Sequence, residues 1–376
     1  MDQPSHIIDP DGEVIILLRR EPDSSLVPVQ NPLEPTQPST EEPGIQEPVE
    51  EPTVEELVQD SIEELVQDPI EEPTQEPVQE PIQEPVQESA VPDPLVENYF
   101  SIQVSAKHLI LASPIFKKIL TGGWKESITY LQKGTVEITA ESWDLEALLI
   151  LLRAIHCQHY QVPRKLTLEM LAKVAVIADY YDCKEAVYIW STIWINALEE
   201  KIPKTYSEDL PQWLWVSWAF QLPDQFKEST STVMSWSDGW INSPGFPIPA
   251  EVMEAMNISR EDAITNLVTL LHDRREALLS GTRGCGFECS SIMYGALTKE
   301  MRSAELFLPR PEAPFPGLNY KDLVRKVQSF KIPRWDSRTL SYPYHSQHSC
   351  FDSSFKNLFG MLNDTIEGLD LHSLIP

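Results

Sequence analysis

Two groups of residues carry side chains suited to metal chemistry. Cys285 and Cys289 stand four apart, and His345, His348 and Cys350 cluster downstream. Thiolates and neutral imidazoles are zinc ligands, and a tetrahedral structural site needs four of them at about 2.0 to 2.3 Å from the ion. A four-residue spacing lets Cys285 and Cys289 share one helix face. It is looser than a two-cysteine knuckle, however, and nothing in the sequence itself carries His348 and Cys350 to the pair. Ordinary unmetallated thiols are the competing reading. The expectation is no bound cofactor, with zinc on Cys285, Cys289, His348 and Cys350 as the alternative.

Acid-base chemistry would need an imidazole beside a nucleophile or a carboxylate. His108, His156, His159 and His272 are present, but none has a recognisable Ser, Cys or carboxylate partner to complete a constellation. Carboxylates are abundant but unevenly placed: the formal charge is −29, and residues 21–98 supply 22 Asp or Glu with no Lys or Arg. A solvated acidic stretch offers no pocket in which a pKa could shift. No catalytic residue is expected.

The same charge distribution leaves no broad basic surface of the kind that nucleic acid or anionic lipid would require. Five cysteines in 376 residues do not make a disulfide framework, and their odd number argues against a fully paired secreted protein. The first residues lack the positive start and apolar core of a secretory signal. The longest apolar runs, 147–152 and 213–222, fall short of the ~20 residues that span a bilayer. An intracellular protein, nuclear or cytoplasmic and not secreted, is expected.

The elements that would position these residues are legible in the periodicity. After the Asp9-Pro10-Asp11-Gly12 turn signal, Glu13-Val-Ile-Ile-Leu-Leu18 is largely apolar and rich in β-branched residues, and Phe100, Ile102 and Val104 alternate with polar residues. Both read as strands. From Lys107 the period lengthens into two short helices, with Ser113 as an N-cap and Pro114 at the first helical position. Gly122-Gly123 ends the second. A short strand at 135–139 follows, then helices at 141–156, with Ser142 at its cap, and at 167–182.

Between the first two strands, residues 21–97 are a repetitive acidic insertion. Val54-Glu-Glu-Leu-Val-Gln-Asp60 recurs at Ile62–Asp68, then shortens to units such as Val78-Gln-Glu-Pro81. Proline at every fourth residue and like-charge repulsion favour an extended solvated chain, with a transient helix only at 53–68. A docking arm and a linker of little consequence are the two readings of it. Loop-closure entropy grows only logarithmically, so an insertion of this length costs about 2 to 4 kcal/mol.

Ala106-Lys107-His108, Leu111-Ala112-Ser113-Pro114-Ile115-Phe116 and Gly122-Gly123-Trp124-Lys125-Glu126-Ser127 occur in this order over about thirty residues. With the strand before them and the helix pair after them, they resemble the BTB/POZ domain. The resemblance covers residues 12–18 and about 98–187. It implies that the first strand lies beside the one near Phe100 in a single sheet. It also implies that Trp124 and Glu126 form the hydrophobic-x-Glu motif through which many such domains contact cullin scaffolds, or else merely close a turn.

Beyond residue 187 the pattern is helical, with helices at 186–200, 252–256, 263–279, 288–301 and 320–330. Tryptophans at 213, 215, 218, 236 and 240 follow Trp190 and Trp194. Rings this dense on helices are expected in a core. With Arg283-Gly-Cys-Gly-Phe-Glu-Cys289 and the proline-rich 309–317 segment, this half resembles the helical C-terminal extension of fungal BTB-domain proteins. The expected fold class is α+β: a BTB/POZ fold (small sheet with helical cluster) followed by a mostly α-helical C-terminal domain. Its parts are residues 1–20, 21–97, 98–187 and 188–376. The expected function is non-catalytic protein-protein interaction, with a protein partner, self-association or a cullin. The alternatives are a substrate adaptor of a cullin-type ubiquitin ligase and a zinc-containing regulatory or DNA-associated protein.

Overall fold

The alternation of Val14, Ile16 and Leu18 with half-buried neighbours makes Val14–Arg19 a strand whose apolar face is closed to solvent. In the computed structural model, which describes residues 4–19, 99–243, 245–335 and 348–375, that face meets Ile102 and Val104 of Tyr99–Val104. The two strands run antiparallel, with Val14 opposite Val104 and Ile16 opposite Ile102. Val136–Ala140 joins parallel on the other side, placing Val136 and Ile138 level with Val14 and Ile16. A two-residue strand, His6–Ile7, which the periodicity does not announce, pairs parallel with Tyr99–Val104. Numbered along the chain, the sheet order is β1-β3-β2-β4. Each buried aliphatic on this face contributes on the order of 1.5–3 kcal/mol through burial, so the register is set by which face is apolar.

The turn before β2 is held by side chains and by space. Gln103 donates from Nε2 to the Pro10 and Gly12 carbonyls at 3.1 and 2.9 Å. A Cβ on Gly12 would stand 2.5 Å from the Val104 carbonyl, so only glycine fits here.

After β3, α1 (Ala106–Ala112) and α2 (Pro114–Thr121) are divided as expected at Ser113. Its Oγ accepts the Phe116 N–H at 3.0 Å and donates to the Tyr181 carbonyl at 2.5 Å, so one hydroxyl caps a helix and joins it to the end of a later one. A third helix, α3 (Lys125–Lys133), begins at Trp124 and ends at Gly134 with φ 72°; the sequence reading placed only a turn here. Its apolar residues are split between the two sides, with Ile128 and Leu131 exposed and Tyr130 packed on the core, so no single inward stripe marks it. The cap of α4 (Leu145–Ile155) is Asp144 and not Ser142: Asp144 accepts the Ala147 N–H at 3.0 Å, whereas Ser142 sits at φ 61°, outside the helix. Thr167 caps α5 (Leu168–Tyr180).

Among the described residues seven more α-helices follow: α6 (Tyr188–Ala197), α7 (Asp209–Ala219), α8 (Pro223–Trp236), α9 (Ala250–Leu279), α10 (Phe287–Ser303), α11 (Tyr320–Gln328) and α12 (Phe355–Phe359). The fold is therefore α+β, with a four-stranded sheet and mostly helix among the described residues. The helices expected at 252–256 and 263–279 are one 30-residue helix. The apolar pattern lapses at Asn257 and Arg260, yet both are buried and hydrogen-bonded. Asn257 pairs with both backbone groups of Ile241. Arg260 donates to the carbonyls of Ser237, Pro314, Phe315 and Leu318 at 2.7–3.1 Å.

Residues 1–20 and 98–376 cluster as one compact unit; the acidic insertion lies outside the described residues. One hydrophobic core runs from the sheet through α4, α5 and α7 to Met256 and takes in Ile366 and Leu371 near the C-terminus. A second joins the latter half of α9 to α10, α11 and α12. Trp190, Trp194, Trp213 and Trp215 are core residues, and the indoles of Trp194 and Trp215 donate to the Pro163 and Ala172 carbonyls. Among the described residues no helix is long and apolar enough to cross a membrane.

Candidate metal centre

Cys289 enters the first turn of α10, and Cys285 lies just ahead of that helix on the loop from α9. Gly284 adopts φ +103°, and a Cβ there would press on the backbone of Ser290 at 3.1 Å, so glycine is needed to bring the loop against the helix start. His348 and Cys350 approach from the segment leading to α12. The ligand atoms of Cys285, Cys289, His348 and Cys350 all lie within 4.8 Å of one another. Nε2 of His348 is 3.7 Å from Sγ of Cys285. The four residues singled out by type and spacing are thus brought together; His345 lies outside the described residues.

The surrounding residues, not foreseen from the sequence, hold this arrangement. The Asp352 carboxylate accepts from the Gly284 N–H at 2.9 Å and pairs with Arg283 at 2.6 Å, joining the two loops. These bonds lower its pKa. Ser353 Oγ is 3.1 Å from Cys289 Sγ. The ring of His348 stacks on Trp335 with centroids 4.3 Å apart, and its backbone N–H donates to the Trp335 carbonyl at 2.8 Å. Although Cys285 is exposed, partial desolvation and the neighbouring Cys289 and Cys350 sulfurs push its thiol up to about 11. At Cys350 desolvation opposes ionisation, but hydrogen bonds from Ser353, Cys289 and the Asp352 backbone together outweigh it and lower the thiol pKa. Three sulfurs this close cannot all become thiolates without a compensating cation.

The other candidate pair sits elsewhere. Trp124 caps α3 with half its surface exposed, Lys118 Nζ lies 5.5 Å from its ring, and Glu126 is in the first helical turn. Ile128 and Leu131 follow Trp124 at helical spacing and are 48% and 78% exposed, so α3 turns an apolar stripe outward. That spacing was available in the sequence once a helix was recognised there.

The histidines are taken up by packing. His156 is buried, with both ring nitrogens bonded to backbone, and stacks on His108 at 4.8 Å. His272 lies 3.1 Å from the Leu306 carbonyl; burial, then the cations Arg310 and Arg275, lower its pKa. His159 packs against Trp190. No protein-family model matches this sequence, and no curated protein matches it either.

Proposed function

We propose that this chain is a non-catalytic protein-interaction protein, in which a BTB/POZ-type unit built from the N-terminal strands and residues 98–187 binds a protein partner or a second copy. The observation that carries this reading is the stripe Trp124, Ile128 and Leu131 on α3, three large apolar side chains 48–78% exposed on one face. A contiguous exposed apolar stripe rimmed by charge, here Lys118 and Glu126, is what an interface core looks like before it is covered. The antiparallel β2–β3 pairing and the Ser113-Pro114 junction between two short helices support the reading, since they follow the order the resemblance implies.

A substrate adaptor of a cullin-type ubiquitin ligase is the second reading, favoured by the placement of Trp124 and Glu126 together at the exposed start of α3. Affinity purification of the full chain beside Ile128→Glu/Leu131→Glu and Glu126→Lys tests both. Loss of a partner by more than about tenfold in the double variant is expected, as hot spots concentrate binding energy in a few side chains. Loss of a cullin with Glu126→Lys selects the adaptor reading. Unchanged partners in both variants overturn the proposal.

A further inference from the structure

A regular tetrahedron around zinc, with Zn–S about 2.3 Å and Zn–N about 2.0 Å, separates its donors by roughly 3.5–3.8 Å. The Cys285–His348 separation of 3.7 Å already matches this, and all four ligand atoms lie within 4.8 Å of one another. Bringing every pair to that spacing needs at most about 1 Å of movement, within the reach of small side-chain rotations. Three sulfurs and one imidazole suit a soft or borderline divalent ion and not magnesium or calcium, which take oxygen. Iron–sulfur clusters of the common kind need four thiolates.

The donors are also oriented as ligands require. The Trp335 ring stacks on the His348 plane, the Ser353 hydroxyl lies within hydrogen-bond distance of the Cys289 sulfur, and Cys289 sits at the N-terminus of the 17-residue α10, where the helix dipole favours a thiolate. Asp352 holds the two contributing loops in register from the side, through Arg283 and the Gly284 amide. We infer that Cys285, Cys289, His348 and Cys350 bind one zinc ion in a closed, structural site that staples the α9–α10 hairpin to the C-terminal segment.

Four protein donors leave no position for a substrate or water, so the ion serves architecture. It joins parts of the chain about sixty residues apart and anchors the segment that carries α12, whose Phe355 and Phe359 complete the second core. This inference is independent of the interaction surface on α3, which lies on a different element.

The test is metal analysis of the full chain purified under reducing conditions in zinc-containing medium. About one zinc per chain is expected, falling to less than a tenth in Cys289→Ser. Because Cys289 is buried, the exposed Cys285→Ser provides a variant that folds and binds zinc at least tenfold more weakly in a chelator competition. Cys157→Ser, far from the cluster in sequence, keeps full occupancy. Chelation of the wild-type protein should lower its Tm by about 10 °C, reversed by zinc alone. Cobalt replacement should give the visible spectrum of tetrahedral thiolate coordination. Substoichiometric zinc in wild type with all five thiols free, a disulfide within the cluster of freshly purified protein, or zinc retained in both cysteine variants would overturn the inference.

Discussion

The backbone N–H of Ser105 donates to Nε2 of His156 across 3.0 Å, joining the end of β3 to the end of α4. An amide can only donate, so Nε2 carries the lone pair and Nδ1 carries the proton, which goes to the Leu152 carbonyl at 2.7 Å. The neutral imidazole is therefore built into the core. Burial chiefly, with repulsion from His108, holds its pKa below the ordinary 6.5 despite the opposing pull of Asp9.

A pH dependence follows from that depressed value. Between the folded pKa and 6.5 the unfolded chain binds more protons than the folded one, so the contribution is complete above 6.5 and is lost as pH falls through the folded value. His156→Gln keeps an acceptor for Ser105 but cannot titrate. Urea midpoints at pH 7.5 and 5.5 should fall further for wild type than for this variant; equal falls would show that His156 does not act in this way.

Gly12 marks the closest approach of the first turn to β3. Alanine there would drive a Cβ to 2.5 Å from the Val104 carbonyl, which must move, and the β2–β3 register moves with it. Gly12→Ala should lower stability by about 2 to 3 kcal/mol in equilibrium denaturation. A change within experimental scatter would mean that the turn accommodates the methyl.

Arg260 is fully buried and donates to four backbone carbonyls, with its charge destabilised by desolvation. Its planar fork reaches acceptors on two separate loops, which a lysine ammonium cannot do. Arg260→Lys should cost about 2 kcal/mol and Arg260→Met about 4, since the latter leaves four carbonyls without a donor. Denaturant midpoints check the order as well as the size; equal losses would show that charge rather than fork geometry matters.

The last residues belong to the first core. Ile366 and Leu371 are buried there, the Ile366 N–H donates to Ser235 at 2.9 Å, and the Leu369 N–H donates to Thr230 at 2.9 Å. Removing residues 361–376 should cost about 4 kcal/mol from the two aliphatics alone and speed limited proteolysis near α8. Glu367→Gln, which breaks only the exposed pair with Lys227, should leave the denaturation curve where it was.

Much of this architecture was readable from local pattern. The strand period at Val14–Arg19 and Tyr99–Val104, the Ser113-Pro114 junction and the apolar spacing of the helix after Thr167 each depend on residues a few positions apart, and each is found where the sequence put it. Legibility failed where polar residues are buried or apolar ones exposed. Asn257 and Arg260 interrupt the apolar rhythm of α9, yet their bonds carry the helix through. Ile128 and Leu131 face outward on α3, so no inward stripe announced that helix.

The sequence by itself determined the types of side chain available for metal chemistry and the spacing that lets Cys285 and Cys289 share the start of one helix. Only the tertiary structure decided that His348 and Cys350 arrive beside them, because an approach across about sixty residues is set by how α9, α10, α11 and α12 pack on the second core. The same division holds for the sheet. Periodicity determines that a residue is strand and which face is apolar, whereas the edge position of His6–Ile7 and the parallel arrival of Val136–Ala140 depend on long-range burial, which leaves no short-range trace.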